Sequence, residues 1–201
     1  MLDDPALDAL AAEGWCVIDG FVGPEAVEDA RLAAEALDAA GRLTPAGLSR
    51  GADHRQDEAI RGDRTVWLTP DTPPAFLPVA TRFEALRRQL NREAYLGLAR
   101  CELQLAHYPG DGARYVRHRD AFAGSINRKI TAVWYLNSGW TLAAGGALRL
   151  FVPGEPRVEP VADRLVVFFS ELVEHAVEPA FAPRWALTGW MRKRDPRRPA
   201  L

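Results

Sequence analysis

The sequence predicts an α+β fold in which helices of the first hundred residues support an antiparallel β-sandwich or jelly roll. Before residue 98 apolar residues recur mainly at three- and four-residue steps, whereas beyond residue 100 they form seven or eight short β-prone runs between glycines and prolines. At 201 residues, 48% of them apolar, the chain suits one domain with a sizeable core. We predict this organisation: helical support over 1–100, a mobile finger over 42–74, a β-core over 101–192 and a basic tail over 193–201.

The N-terminal half contains three helical patterns and two strand-like runs. Asp4 is expected to cap the first helix, which Pro5 opens and Gly14 ends. Glycine and proline also bracket the second helix, and arginines alternate with apolar positions along the third. The predicted helices cover residues 4–14, 24–40 and 77–98, and the strands 15–18 and 64–68.

The C-terminal half reads as strands with period-two patterning. Their β-branched and aromatic residues are interrupted by turn residues such as Gly110, Gly112 and the pair Gly145 and Gly146. The predicted strands cover residues 101–108, 115–120, 129–137, 147–152, 165–169, 175–178 and 184–192.

Composition excludes several classes of protein. The net charge of −2 gives no global basic bias toward nucleic acid, and the five basic residues after 191 are expected to form a solvated tail. Two cysteines are too few for a disulfide framework. The acidic start lacks a signal-peptide pattern, and there are no eighteen consecutive apolar residues. We therefore expect a cytoplasmic protein that binds neither nucleic acid nor membrane.

One short run carries the strongest chemical signal. In an extended strand His118 and Asp120 project from the same face, and His175 can supply a second imidazole. Two histidines and one carboxylate are the ligand set of non-haem iron oxygenases, and they leave open positions on the metal. Arg184, nine residues after His175, offers a guanidinium fork that suits a carboxylate. A strand histidine beside a solvated aspartate is the plainer alternative.

Strand parity selects further residues that could face the same cavity. Thr188 and Trp190 share the face of Arg184. On their own strands, Tyr135 shares a face with Val133 and Thr131, and Tyr108 shares one with Ala106 and Gln104. A tyrosine inside a barrel more often packs than binds a ligand, so parity alone assigns the two phenols no role. His54 and His107 have no partner at ligand spacing and are expected to stay outside the site.

Several linked motifs resemble the hypoxia-inducible-factor prolyl hydroxylases and their bacterial relatives. They are YPGDG at 108–112, YVRHRD at 115–120, WYLN at 134–137, GGALRLF at 145–151, the run 175–184, and IRGDRTVW at 60–67. The resemblance spans about residues 55–192. Gln104 departs from it, since those enzymes have an apolar residue at this position.

The resemblance implies a double-stranded β-helix (jelly roll) with N-terminal helices packed on one sheet. It implies a dioxygenase that uses Fe(II), 2-oxoglutarate and O2, supported by ascorbate, with His118, Asp120 and His175 as metal ligands. Arg184 and Tyr135 would hold the distal carboxylate of 2-oxoglutarate, with Tyr108 and Thr188 nearer the metal. Positions that would shape the substrate groove are Arg61, Asp63, Tyr115, Arg128 and Trp190.

The resemblance also implies a substrate. The expected reaction hydroxylates a prolyl residue in a protein or peptide and releases succinate and CO2. The same chemistry on a free amino acid or other small molecule is one alternative, and a metal- or ligand-sensing barrel without turnover is another.

Overall fold

The computed structural model describes residues 1–47, 60–121 and 127–194. Much of the predicted finger, most of the predicted tail and His54 lie outside these ranges. The helices are α1 (Asp4–Glu13), α2 (Pro24–Ala39) and α3 (Leu77–Ala94), with 3-10 turns at Pro74–Phe76 and Leu142–Ala144. The strands are β1 (Trp15–Ile18), β2 (Thr44–Pro45), β3 (Arg64–Trp67), β4 (Leu98–Tyr108), β5 (Tyr115–His118), β6 (Arg128–Tyr135), β7 (Leu148–Leu150), β8 (Arg157–Val158), β9 (Leu165–Phe169), β10 (His175–Val177) and β11 (Arg184–Lys193).

The ends of α1 illustrate how local chemistry sets the elements. The side chain of Asp3 accepts a hydrogen bond from the Ala6 amide at 3.0 Å, so Asp3 is the N-cap and the prediction of Asp4 was wrong by one residue. Gly14 ends the helix with φ of 83°, a conformation that glycine adopts without a Cβ clash. The helix boundaries thus follow from capping groups within a few residues.

The strands form two antiparallel sheets. A seven-stranded sheet has the order β1-β9-β6-β11-β4-β3-β2, and a four-stranded sheet has the order β5-β10-β7-β8. The predicted fold class, an α+β jelly roll with helices on one sheet, is confirmed. The two-residue strands β2 and β8 were missed, because runs this short carry no periodicity.

The seven-stranded sheet has two different faces. Its outer face packs on the three helices around residues such as Phe83, Leu187 and Trp134, which are at most 2% exposed. Its inner face turns toward the four-stranded sheet, and a second apolar cluster with Tyr135 and Ala186 fills part of that space. Strand β11 shows the alternation that parity predicted, since neighbouring residues enter opposite clusters. We call these the outer face and the inner face.

A buried aspartate fixes the start of α2 to the outer face. The carboxylate of Asp163 accepts hydrogen bonds from the amides of Val22 and Gly23 and from the indole Nε1 of Trp134, all at 2.8–2.9 Å. Asp163 is 8% exposed, so its charge is stabilised by these three donors in place of water.

Among the described residues, no helix has the length and apolar character needed to cross a membrane.

Candidate metal centre

Two histidines face each other across neighbouring strands of the four-stranded sheet. His118 ends β5 and pairs in register with His175, the first residue of β10. Asp120 lies two residues beyond the end of β5, and its side chain meets that of His118 as predicted, with one carboxylate oxygen 3.7 Å from His118 Nε2. Ligand atoms of the three side chains lie within 4.8 Å of one another.

Hydrogen bonds orient both imidazoles toward Asp120. His118 Nδ1 lies 2.9 Å from the carbonyl of Val116, and His175 Nδ1 lies 3.3 Å from that of Val173. A protonated Nδ1 donates to these carbonyls, which leaves the lone pair of Nε2 available to a metal. Each Nε2 lies 3.7 Å from one oxygen of Asp120.

The carboxylate of Asp120 is buried and held from behind. Thr131 Oγ1 donates to Oδ2 at 2.8 Å and also lies 2.8 Å from the hydroxyl of Ser170. Burial by itself would raise the pKa of Asp120, but the imidazoles of His175 and His118 hold that pKa well below its usual range. Asp120 is therefore ionised at neutral pH.

His175 is neutral at the same pH. Its burial, together with the repulsion from His118, lowers its pKa to about 4 although Asp120 acts in the opposite direction. A neutral imidazole and an ionised carboxylate are the forms that bind metal. Two imidazoles and one carboxylate, with the second-sphere carbonyls and Thr131 in place, fit an iron(II) ion.

A buried cation lies at the other end of the inner face. Arg184 is 1% exposed, its Nε donates to the Gly146 carbonyl at 2.8 Å, and its guanidinium lies 5.0 and 5.1 Å from the rings of Tyr108 and Tyr135. Gly146 has φ of 67°, and a Cβ there would lie 2.9 Å from Arg184 Cδ, so glycine is required for this approach. Among the described residues no carboxylate forms an ion pair with Arg184. A buried guanidinium without an acid fits an anionic ligand.

The two tyrosines beside Arg184 remain protonated. Burial raises the pKa of Tyr135 to about 12, despite the attraction of the nearby guanidinium, and burial also raises the pKa of Tyr108. The Tyr135 hydroxyl is buried and has no hydrogen-bond partner in the described part of the chain. It can therefore donate to a ligand carboxylate bound by Arg184.

The residues predicted for the substrate groove form two contacting groups. Arg61 makes a bidentate pair with buried Asp63 at 2.7 and 3.0 Å, and its guanidinium lies 4.6 Å above the ring of Tyr115, which itself stacks on His118. On the other side, Arg128 lies 4.1 Å above the ring of Trp190. Both groups adjoin the metal ligands, directly through Tyr115 and through the Arg128 hydrogen bond to the Asp120 carbonyl at 3.4 Å.

Sequence reasoning missed part of the site. It placed Thr131 on the same face as Tyr135 but gave it no role, and it did not select Ser170, Thr65 or Trp67. The bond between Thr131 and Asp120 joins residues eleven apart, and no local pattern indicates that contact. His107 was expected outside the site, and it stacks on Trp185 at the outer face with centroids 3.9 Å apart.

Comparison with known proteins agrees with this geometry. The family described as the 2OG-Fe(II) oxygenase superfamily matches residues 103–192. Egl nine homolog 1 of Homo sapiens is 34% identical over 194 residues, which cover 92% of this chain and 45% of that protein. Prolyl hydroxylase EGLN3 of Homo sapiens is 33% identical over 187 residues, covering 88% and 77%. The chain thus spans about half the length of the first of these relatives.

Two solved structures extend the comparison. A Pseudomonas putida prolyl-4-hydroxylase superposes with a TM-score of 0.86 at 38% identity, covering 94% of this chain and 98% of that one. A Trichoplax adhaerens prolyl hydroxylase, solved with a hypoxia-inducible-factor peptide fragment, gives 0.85 at 27% identity, covering 94% and 87%. Because the likeness in sequence and in structure runs along nearly the whole chain, this protein belongs to the 2OG-Fe(II) oxygenase superfamily, which uses iron(II), 2-oxoglutarate and O2, and within it to the family of the Egl nine homologues.

Proposed function

We propose that the chain hydroxylates a prolyl residue of a protein or peptide and converts 2-oxoglutarate into succinate and CO2. The observation that carries the proposal is one interior lined at one end by the His118, Asp120 and His175 cluster and at the other by buried Arg184. A metal ion and a dicarboxylate are the two groups this pairing suits. The prolyl hydroxylases among its relatives support a prolyl target.

The roles proposed for the metal ligands follow from the ligand atoms that they bring together. His118, His175 and Asp120 would hold iron(II), and Thr131 would keep the Asp120 carboxylate in its orientation. When bound, iron(II) and 2-oxoglutarate supply the oxidising chemistry that transfers one atom of O2 to a substrate C–H bond. The protein contributes ligand placement and a buried, largely apolar surrounding.

Arg184 and the tyrosines would orient the cosubstrate. The free guanidinium nitrogens of Arg184 and the hydroxyl of Tyr135 can donate to the distal carboxylate of 2-oxoglutarate. Tyr108 and Thr188 share the inner face and would contact the end nearer the metal. The bond between Gly146 and Arg184 Nε fixes the guanidinium before the ligand arrives, which lowers the entropy lost on binding.

The two groups beside the metal ligands would hold the peptide. Arg61 and Asp63 make a rigid pair beside Tyr115, and Arg128 with Trp190 faces them across the centre. The Trp190 indole Nε1 is buried and has no acceptor among the described residues, so it can donate to a substrate carbonyl. A cytoplasmic location belongs to the same proposal, and the two unpaired cysteines are in keeping with it.

The test is mass spectrometry of candidate prolyl peptides, and of free proline, after incubation with iron(II), 2-oxoglutarate, ascorbate and O2. We expect a peptide product heavier by one oxygen, together with succinate, and neither with the Asp120→Ala variant. Oxidation of free proline with no change in any peptide would move the assignment to a small-molecule hydroxylase. Wild-type protein that makes no succinate at all would favour a non-catalytic sensor.

A further inference from the structure

A glutamine in the inner face belongs neither to the metal centre nor to the carboxylate pocket. Gln104 of β4 pairs in register with Thr188 of β11 on one side and with Trp67 of β3 on the other. Direct partners in antiparallel strands project to the same face, so the three side chains form one row across the sheet. Thr188 continues the row to Val133 of β6.

The carboxamide of Gln104 is buried but only half satisfied. Gln104 is 8% exposed, and its Nε2 donates to the hydroxyl of Thr65 at 3.3 Å. Within the described ranges its other carboxamide atom has no protein partner. A carboxamide has an acceptor and two donors, so the atom without a protein partner is suited to a polar ligand group.

A second buried glutamine shows what a purely structural role looks like in this protein. Gln89 on α3 is 6% exposed; its Nε2 donates to the Leu2 carbonyl at 2.8 Å and its Oε1 accepts from the Leu2 amide at 3.1 Å. Both ends of that carboxamide are used within the protein. Gln104 differs because one end is left open toward the inner face.

The neighbours of Gln104 place it at the edge of the proposed peptide groove. The ring of Trp67 lies 5.4 Å from the ring of Trp190, which carries the Arg128 guanidinium on its face. Gln104 therefore lies between Thr188 of β11 and Trp67 of β3, and Trp67 in turn contacts Trp190 of the groove. A peptide whose proline reaches the metal would bring an adjacent residue over this row.

We infer that Gln104, held by Thr65, accepts or donates a hydrogen bond to the residue next to the target proline. The substrate is then a peptide with a polar side chain at that position rather than an aliphatic one. This inference rests on the proposed prolyl hydroxylase function. A site built to hydrogen-bond a substrate hydroxyl discriminates against the analogue that lacks it, because its own polar atom stays unpaired.

The experiment uses pairs of peptides that differ only by Thr or Val immediately before or after the proline. We expect wild-type protein to prefer the Thr peptide of one pair by about tenfold in kcat/KM, because the Val peptide leaves the Gln104 carboxamide without that hydrogen bond. Gln104→Met, which keeps the side-chain length, should reduce that preference to about twofold or less. Gln89→Met is the matched control and should keep the wild-type preference even where it lowers Tm.

A binding measurement separates this inference from the function beneath it. The same peptide pairs are titrated into metal-free protein, with tryptophan fluorescence as the readout, so no turnover is needed. Tighter binding of the Thr peptide by wild type, lost in Gln104→Met, supports the inference. Equal binding of both peptides by wild type, or an unchanged preference in Gln104→Met, would overturn it. Peptides that bind selectively yet are never hydroxylated would count against the proposed function alone.

Discussion

The two faces of the seven-stranded sheet bury similar polar groups and treat them differently. On the outer face Asp163 receives three hydrogen bonds from within the protein, and Arg82 Nε donates to the Phe21 carbonyl at 2.8 Å. Against the inner face, Asp120 accepts a hydrogen bond from Thr131 of β6 and lies 3.7 Å from each of two imidazoles, and on that face Arg184 has no acid partner among the described residues. The difference indicates that outer-face polar groups stabilise the fold, whereas inner-face groups are arranged for ligands.

The contrast extends to hydroxyl and indole donors. Trp134 Nε1 on the outer face donates to Asp163, while Trp190 Nε1 on the inner face is buried without an acceptor in the described chain. The Tyr135 hydroxyl on the same face is also buried without a hydrogen-bond partner in the described chain. Unpaired buried donors are normally costly, so these two on the inner face indicate a binding site. The outer-face His107 Nε2 is also buried without a partner in the described chain, and it is an acceptor when Nδ1 donates to Asp38. Matched single substitutions, one on the inner face and one on the outer face, can test whether the two faces have these different roles.

The largest effect is expected from Asp120→Asn. The amide keeps the shape but removes the charge that binds the metal, so iron(II) affinity and succinate formation should each fall more than about 100-fold, since loss of an outer-sphere partner alone costs ~10–100-fold. Calorimetric titration with metal and a succinate assay measure the two quantities. Asp163→Asn is the outer-face partner and should leave metal affinity within about twofold. Equal losses in both variants would contradict the division of the faces.

Arg184→Gln should have the next largest effect. Without the guanidinium the distal carboxylate loses charge-assisted hydrogen bonds worth ~1.5–3 kcal/mol each, so the KM for 2-oxoglutarate should rise about 100-fold while metal affinity is retained. The measurement is succinate formation across a range of 2-oxoglutarate concentrations.

Arg82→Gln is the matched control for Arg184→Gln. It removes a guanidinium that bonds a backbone carbonyl beside α2, and the ring of Phe21 lies 5.6 Å from that guanidinium. We expect a lower Tm in this variant and an unchanged KM. An Arg184→Gln variant with wild-type KM would show that the carboxylate binds elsewhere.

Asp163→Asn should destabilise the fold by about 2–3 kcal/mol, because the amide cannot accept at both ends from three donors. Asn tolerates the backbone φ of 60° found at this position, so backbone strain does not add to the loss. Tm should fall by about 4–12 °C for a chain of this size, measured by calorimetry. Below the new Tm, kcat and KM should match the wild type, and a changed KM would argue that the outer face also shapes the site.

The sequence was sufficient to predict the parts of the site that lie within regular strands. The faces of β11 followed from alternation, so Arg184, Thr188 and Trp190 were correctly placed together. Strand β9 was predicted with its observed bounds, because its five residues form one apolar, β-prone run, and four of them are buried. His175 was predicted because the sequence has only four histidines and because Arg184 follows His175 by nine residues.

What escaped prediction depends on contacts between segments that are distant in sequence. The hydroxyl of Thr131 donates to the Asp120 carboxylate from eleven residues away, and no local pattern indicates that contact. The Thr65 and Gln104 pair joins residues 39 apart and requires β3 to lie beside β4 in a particular register. Such pairings are set by tertiary packing and carry no local periodicity.

The smallest effect concerns acid stability and uses the outer-face histidine. His107 stacks on Trp185, its Nδ1 lies 3.0 Å from Asp38, and burial lowers its pKa although Asp38 acts to raise it. The unfolded chain binds a proton near pH 6.5 while the folded chain keeps His107 neutral, so folding stability falls as the pH drops below about 6.5. Burial of His175 acts in the same direction in metal-free protein.

Chemical denaturation of metal-free wild type and His107→Asn at pH 7 and pH 5 isolates His107, because the contribution of His175 is common to both chains. We expect a smaller loss between the two pH values in the variant, and equal losses would show that His107 takes up its proton without unfolding.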